Sequence, residues 1–350
     1  MLEVIIMSKQ SLAVKYRPKR FNDVVEQDVV KSILSSQLED HSFKNCLLFT
    51  GSAGTGKTSS ARIFGNEIND FKGTLIELDA ASNNSVDDVR KIIEESKYRA
   101  LDAPYKVFIL DEVHSLSSQA WQALLKVLEE PVPTSVYILC TTDPQKIPAT
   151  IMSRVQRYNF QKITHDGIVS RLKYIIDQEN KELNNLLTYE DSAISFIAKT
   201  ADGGMRDAIT LLDKSIGYSN ELTLNNVVQA IGSVNYDTMF ELTDSILSMN
   251  KKDVITIIEN IHRTGLDLKQ FIKSYNYFVL DLCKYDILRS FEYLQMPETY
   301  EDKMKSYKDS DFDFFTTLLN EVIGLNNNIK WEMIPKPYIE STFLLLCSES

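Results

Sequence analysis

The stretch "GSAGTGKT" at 51–58 has the spacing G-x-x-x-x-G-K-[ST], and it lies between an apolar run and a helical pattern. Glycines let the backbone N–H groups curl around phosphate oxygens, and the start of a helix adds a favourable field. Ala53, Gly54, Thr55, Gly56 and Ser59 form the cradle, Lys57 neutralises the β- and γ-phosphates, and Thr58 offers its hydroxyl to Mg²⁺. Further on, "VFILDEVH" at 107–114 ends an apolar strand in Asp111 and Glu112. Two carboxylates at the carboxyl end of a strand beside such a loop fit metal-assisted hydrolysis. Asp111 holds the magnesium's water shell and Glu112 polarises the attacking water. Acidic residues often follow strands, but their pairing with the glycine loop makes hydrolysis of a nucleoside triphosphate the working reading.

Three more residues carry chemistry with an alternative attached. Thr142, in "CTTDP", is placed either to hydrogen-bond the γ-phosphate or the lytic water, or to make the turn before Asp143-Pro144. Arg206, in "ADGGMRDAITLLDK", either reaches back over the nucleotide or is an exposed helix residue. Arg154, in the polar cluster "SRVQR", has no role that its own neighbourhood supplies.

The elements that must position these residues alternate along the first 160 positions. Strands are expected at 45–51, 73–80, 105–112 and 134–144, with helices at 58–69, 85–101 and from 118 to a stop at Pro131. Such alternation means a parallel sheet with helices on both faces. Trp121, Leu124, Leu125 and Leu128 read as a core-facing helical stripe, with Lys126 solvated. Beyond Lys162 the strand signals fade into short amphipathic helices, and beyond 232 into longer, more aromatic ones such as 267–291. No repeat or low-complexity segment interrupts them. The expected domains are 11–162, 163–232 and 233–350.

Composition narrows the class. With 350 residues, 43% hydrophobic and 25% charged, the chain reads as ordinary globular material in two or three domains. No apolar run approaches the ~18 residues of a membrane span, and the N-terminus is a poor signal peptide; Met7 is an alternative start. Cys46, Cys140, Cys283 and Cys347 show no C-x-x-C spacing, which argues against zinc and disulfides and fits a reducing cytoplasm. A net charge of -11 excludes coating DNA with the lone chain. Nucleic-acid contact then needs a local basic face or one assembled from several subunits.

In order, "VKYRPKRFNDVVEQ", "GSAGTGKTSSAR", "DAASNNSVDDVR", "VFILDEVHSLS", "TTDPQKIPATIMSR" and "GGMRDA" resemble an AAA+ ATPase, and more narrowly a clamp-loader subunit. The wording "LEEP" and "TTDPQKIP" is most similar to the bacterial gamma/tau subunits of the replicative polymerase, with replication factor C small subunits a more distant match. The resemblance covers 11–232 by motif order. It implies an AAA+ P-loop domain with a parallel sheet, a helical lid and an all-α C-terminal collar. It implies ATP and Mg²⁺, other loader subunits in a ring or spiral, a sliding clamp and primer–template DNA as partners. By the same carry-over Tyr16, Arg17, Pro18 and Val25 lie on the adenine side. Thr142 becomes sensor 1, Arg206 a cis sensor 2, and Arg154, in Ser153-Arg154-Val155, an arginine finger for the neighbouring subunit's ATP. A planar guanidinium there contributes ~10³-fold or more in rate.

The chain departs from the gamma/tau pattern in three places. It has no four-cysteine zinc module after the phosphate-loop helix, Glu26 stands where "VGQ" has glycine, and it ends at Ser350 without a tau-like extension. These fit a compact, phage-type loader. DNA contacts are expected at 82–91 (Ser82, Asn83, Asn84, Arg90) and 115–119, against a plain helix-capping reading. Clamp contact is expected at 97–106 through Tyr98 and Leu101, against their being core. Phe271, Tyr275, Tyr277, Phe278 and Leu280 exceed what one small helical domain needs, so part of this run is expected to hold subunits together. The rivals are an AAA+ DNA motor such as a branch-migration helicase, and a non-hydrolysing structural subunit; the latter conflicts with the intact Lys57, Thr58, Asp111 and Glu112.

Overall fold

The computed structural model describes residues 10–182, 186–232 and 235–348, so the alternative start at Met7 and the expected boundary at 232–233 fall partly outside the described residues. Two compact units are present. One comprises the chain up to Asp177 together with Ala201–Asp213; the other comprises Gln178–Thr200 and Lys214–Ser350.

The first unit is built on five parallel strands, β1 (Cys46–Thr50), β2 (Ile76–Asp79), β3 (Lys106–Asp111), β4 (Ser135–Thr141) and β5 (Gln156–Asn159), in the order β2-β3-β4-β1-β5. Every residue of β1 and β4 is buried, as a sheet covered on both faces requires. Alternation sorts their side chains. Leu47, Phe49, Val107, Ile109, Val136 and Ile138 pack on one face with α2 (Asp28–Glu39) and α3 (Lys57–Glu67). Leu48, Phe108, Leu110, Tyr137 and Leu139 pack on the other with α4 (Val86–Ser96) and α5 (Ser118–Glu129). Trp121, Leu124 and Leu128 form the expected stripe of α5, with Leu125 half-buried. The remaining helices of this unit are the short α1 (Leu12–Lys15) and α6 (Ala149–Met152), and the beginnings of α7 (His165–Glu182) and α9 (Met205–Tyr218).

Two expectations shift. β5 is not among the expected strands: only Tyr158 of its four residues is buried, so no apolar run announces it, and its pairing with Leu47–Thr50 of β1 makes it a strand. The helix expected over 85–101 stops at Ser96.

The second unit is helical apart from two-residue strands at Thr188–Tyr189 and Glu221–Leu222. It holds α8 (Asp191–Thr200), α10 (Leu224–Ile231), α11 (Tyr236–Leu247), α12 (Lys251–Arg263), α13 (Leu268–Leu288), α14 (Glu301–Lys305), α15 (Asp309–Asn328) and α16 (Pro335–Leu346). Phe271, Tyr275 and Phe278 of α13 sit in its own core with Phe315 and Phe343, and the Tyr275 hydroxyl meets Thr243 Oγ1 at 2.8 Å. These three aromatics therefore fill their own domain; Tyr277 alone of the run is exposed.

Candidate functional site

Parallel register brings the separate motifs to one edge. Thr50 of β1 pairs with Thr141 of β4, and Asp79 of β2 with Asp111 of β3, so the segments after β1, β3 and β4 emerge together at their carboxyl ends. The glycine loop follows β1. Gly51 takes φ +150°, and a Cβ there would collide with the Phe160 carbonyl; Gly54 and Gly56 take φ +71° and +100°. Those conformations suit glycine and open the loop's N–H groups to an anion.

Lys57, only 5% exposed, donates to the carbonyls of Gly51 and Ser52 at 2.8 Å each. Burial lowers its pKa, countered by Cys140, Glu112 and Asp111. The Thr58 hydroxyl donates to Asp111 Oδ2 at 2.7 Å, while Asp111 Oδ1 accepts the Glu112 N–H at 2.9 Å. The two residues expected to hold Mg²⁺ are thus in contact, a hard oxygen pair of the type that ion takes. Glu112 sits at φ +47°, a left-handed position that costs a non-glycine residue about 1 kcal/mol or more. Its Oε2 accepts from Thr142 N at 3.3 Å and Thr142 Oγ1 at 3.0 Å, and His114 Nδ1 lies 3.3 Å away. The turn role proposed for Thr142 belongs to Thr141, whose hydroxyl oxygen accepts the Asp143 N–H.

A cavity of about 250 Å³ opens beside these groups. Tyr16, Arg17, Pro18 and Val25 line it, as do Ala53 to Ser59, Asp111, Glu112 and Arg206. Arg206 arrives because Met205 N donates to the Gly54 carbonyl at 3.0 Å, seating the start of α9 on the glycine loop. Burial first, then the Arg62 and Arg206 guanidinia, hold Arg17 below the usual arginine value. The sequence reading missed Ile163, Arg171 and Ile209, which also line the cavity; as ordinary helix and linker residues they carry no local signal.

Glu26 does not enter the cavity. From a left-handed position, φ +53°, its carboxylate accepts Thr164 N at 3.1 Å and the Thr164 hydroxyl, at the start of α7. Arg154 also lies outside it. Its guanidinium bonds the Thr150 carbonyl at 2.6 Å, Ser153 Oγ at 3.0 Å and Glu129 Oε1 at 2.7 Å.

The expected contact residues separate as well. Ser85 caps α4 through Asp88 N, Asp79 engages Ser82 and Asn83, Arg90 pairs with Asp87, and Ser117 caps α5. Tyr98 and Leu101 are exposed, 70% and 104%, which overturns the reading of them as core.

Comparison with known proteins follows the same lines. A family profile described as "DNA polymerase III, delta subunit" matches residues 73–164, and one described as "DNA polymerase III clamp loader subunit, ATPase lid domain" matches 167–221. The DNA polymerase III subunit tau of Bacillus subtilis is 34% identical over 98% of this chain and 64% of its own length. The DNA polymerase III subunit gamma of Buchnera aphidicola (Schizaphis graminum) is 31% identical over 76% of this chain and 78% of its own. The chain belongs to the DNA polymerase III gamma/tau family. It spans 64% or less of the length of several relatives in that family, 43% for the tau subunit of Escherichia coli. Among solved structures, a point variant of Thermotoga maritima RuvB aligns with a TM-score of 0.51 at 21% identity, covering 66% of this chain and 79% of that one. That likeness shows a shared fold and nothing finer. Among the described residues no helix is long and apolar enough to cross a membrane.

Proposed function

We propose that this gamma/tau family chain is the ATP-hydrolysing subunit of a sliding-clamp loader, cytoplasmic, working in a ring or spiral with other loader subunits. In this reading residues 11–162 bind nucleotide, 163–232 form the lid and 233–350 the collar. The observation that carries it is a division between two arginines. Arg206 lines the chain's own cavity, whereas Arg154 lies outside it just after α6, which supports a role for Arg154 at a neighbouring protomer's nucleotide.

The cavity's residues divide the work. Tyr16, Pro18 and Val25 enclose the base, while Lys57 and the N–H groups of Ala53 to Ser59 bind the β- and γ-phosphates. Thr58 and Asp111 are the groups that would hold Mg²⁺, which supplies charge neutralisation on the phosphate oxygens. Glu112 takes a proton from the attacking water as its oxygen bonds the γ-phosphorus and the bond to the bridging oxygen breaks, leaving ADP and phosphate. Thr142 holds the Glu112 carboxylate for that task. Arg206 in cis and the neighbour's Arg154 in trans neutralise the transferred phosphoryl. ATP favours the assembly that holds the clamp open; primer–template DNA completes the sites; hydrolysis removes the γ-phosphate contacts and the clamp closes. Exposed Tyr98 and Leu101 are the hydrophobic anchors proposed for the clamp.

The test mixes two inactive chains. Lys57→Ala abolishes nucleotide binding, whereas Arg154→Ala leaves binding near normal and depresses turnover. Arg154→Ala chains mixed with Glu112→Gln chains regain turnover wherever an intact site faces an intact finger. No recovery at any ratio, or turnover indifferent to protein concentration, clamp and primed DNA, sinks the proposal.

A further inference from the structure

We infer that Glu129 is a positioning residue for the Arg154 finger. The inference rests on the trans-finger reading above and adds to it the group that aims the guanidinium. Arg154 follows a helix of one turn, α6, too short to fix a long side chain by itself. Three contacts orient it. Nη1 donates to the Thr150 carbonyl and to Ser153 Oγ, both local, and Nη2 forms an ion pair with Glu129 Oε1 at 2.7 Å. Glu129 is the one partner from a different element, the last residue of α5.

A guanidinium has five N–H donors. Both hydrogen bonds come from Nη1, so among the described residues Nε–H and the Nη2 hydrogens donate to no protein acceptor, Nη2 being held by the ion pair alone. Two free donors suffice for a bidentate grip on phosphoryl oxygens. The Glu129 carboxylate thus meets the guanidinium at Nη2 and leaves Nε–H outside the pair. Both side chains are about a third or more exposed, 34% and 41%, so the pair contributes little to folding stability. What it restricts is the number of directions in which the finger points before a neighbour arrives.

The sequence "LEEP" has two adjacent glutamates, and only Glu129 meets Arg154. Glu130, also exposed and one residue on, is a built-in control with the same charge.

The experiment measures steady-state ATP turnover of the full-length chain, at concentrations where turnover has saturated with protein, for Glu129→Ala, Glu129→Gln, Glu130→Ala, Arg154→Ala and Glu129→Ala/Arg154→Ala. Thermal unfolding of each checks the fold. The expected result is an about tenfold fall in kcat for Glu129→Ala with KM for ATP within about twofold. Glu129→Gln, which keeps an acceptor at the same length, loses less, and Glu130→Ala matches the parent. In the Arg154→Ala background the Glu129 change adds nothing, because its effect passes through the arginine. Parental or raised turnover for Glu129→Ala while Arg154→Ala is impaired overturns this inference and leaves the finger reading standing. So does a further loss on top of Arg154→Ala. Parental turnover for Arg154→Ala overturns the finger reading itself.

Discussion

Thr142 donates both its backbone N–H and its hydroxyl to Glu112 Oε2, over 3.3 and 3.0 Å. The residue after β4 therefore fixes the carboxylate after β3, and neighbouring strands hold the two ends in register. Removing the hydroxyl leaves the long backbone bond and the His114 ring, each at 3.3 Å, to steer a group that already stands on strained backbone. Thr142→Ala is expected to lower kcat about tenfold to a hundredfold with nucleotide affinity within about threefold. Thr142→Ser keeps the donor and most of the rate. Steady-state turnover beside a fluorescent-nucleotide titration separates the two quantities.

Gly54 and Gly204 approach so closely that a Cβ on Gly54 would lie 2.9 Å from Gly204 Cα, on backbone at φ +71°. Gly54→Ala must both strain its own backbone and push α9 off the glycine loop. An about 1–3 kcal/mol loss of stability is expected in chemical denaturation, with weaker nucleotide binding because Arg206 moves with α9.

Glu26 and Gly167 are a matched pair, since a Cβ on Gly167 would collide with Glu26 Oε1. Gly167→Ala in the parent chain is expected to cost about 1–3 kcal/mol. Glu26→Gly vacates the space and relieves the left-handed position while giving up the bonds to Thr164. The two changes together should cost less than the sum of each alone, a coupling of about 1 kcal/mol in a denaturation cycle. Additive costs would mean that the carboxylate and the glycine do not contend for one space.

Asp281, 1% exposed in the second unit, accepts Gln295 N at 2.7 Å and Met296 N at 2.8 Å with one oxygen. Burial raises its pKa, opposed by those bonds and by Lys284. A carboxyl whose folded pKa is raised contributes stability below its unfolded pKa of about 3.9 and loses it as pH rises through the folded value. Asp281→Asn, uncharged at every pH, should therefore gain stability relative to the parent as pH rises from about 4 to neutrality. Paired denaturation curves across that range read the difference directly, and a flat difference refutes the argument. Asp281→Ala leaves one buried and one half-buried N–H group unpaired and should cost about 1–3 kcal/mol.

Local patterns were legible where function is itself local. "GSAGTGKT" specifies a turn and a helix start within eight residues, and the apolar run before Asp111 specifies a buried strand. β5 escaped because an edge strand with a single inward residue, Tyr158, has no apolar run to betray it. The aromatic run of α13 looks excessive for one domain in the sequence, yet Phe271, Tyr275 and Phe278 face inward together. Their spacing is helical, but their common direction depends on what packs there.

The sequence by itself determined the phosphate loop, the acidic pair, the parallel α/β sheet and the motif order of the gamma/tau family. The phosphate loop and the acidic pair are written in contiguous residues whose backbone preferences act over one or two turns, the sheet in the alternation of strand and helix patterns, and the family in the resemblance of the ordered motifs. Only the tertiary structure decided that Thr142 serves Glu112 rather than its own turn, that Glu26 leaves the cavity for Thr164, and that Glu129 rather than Glu130 meets Arg154. Those choices join side chains distant along the chain, 30 positions for Glu112 and Thr142 and 138 for Glu26 and Thr164. Their meeting is set by sheet register and helix packing, which no short window of residues encodes.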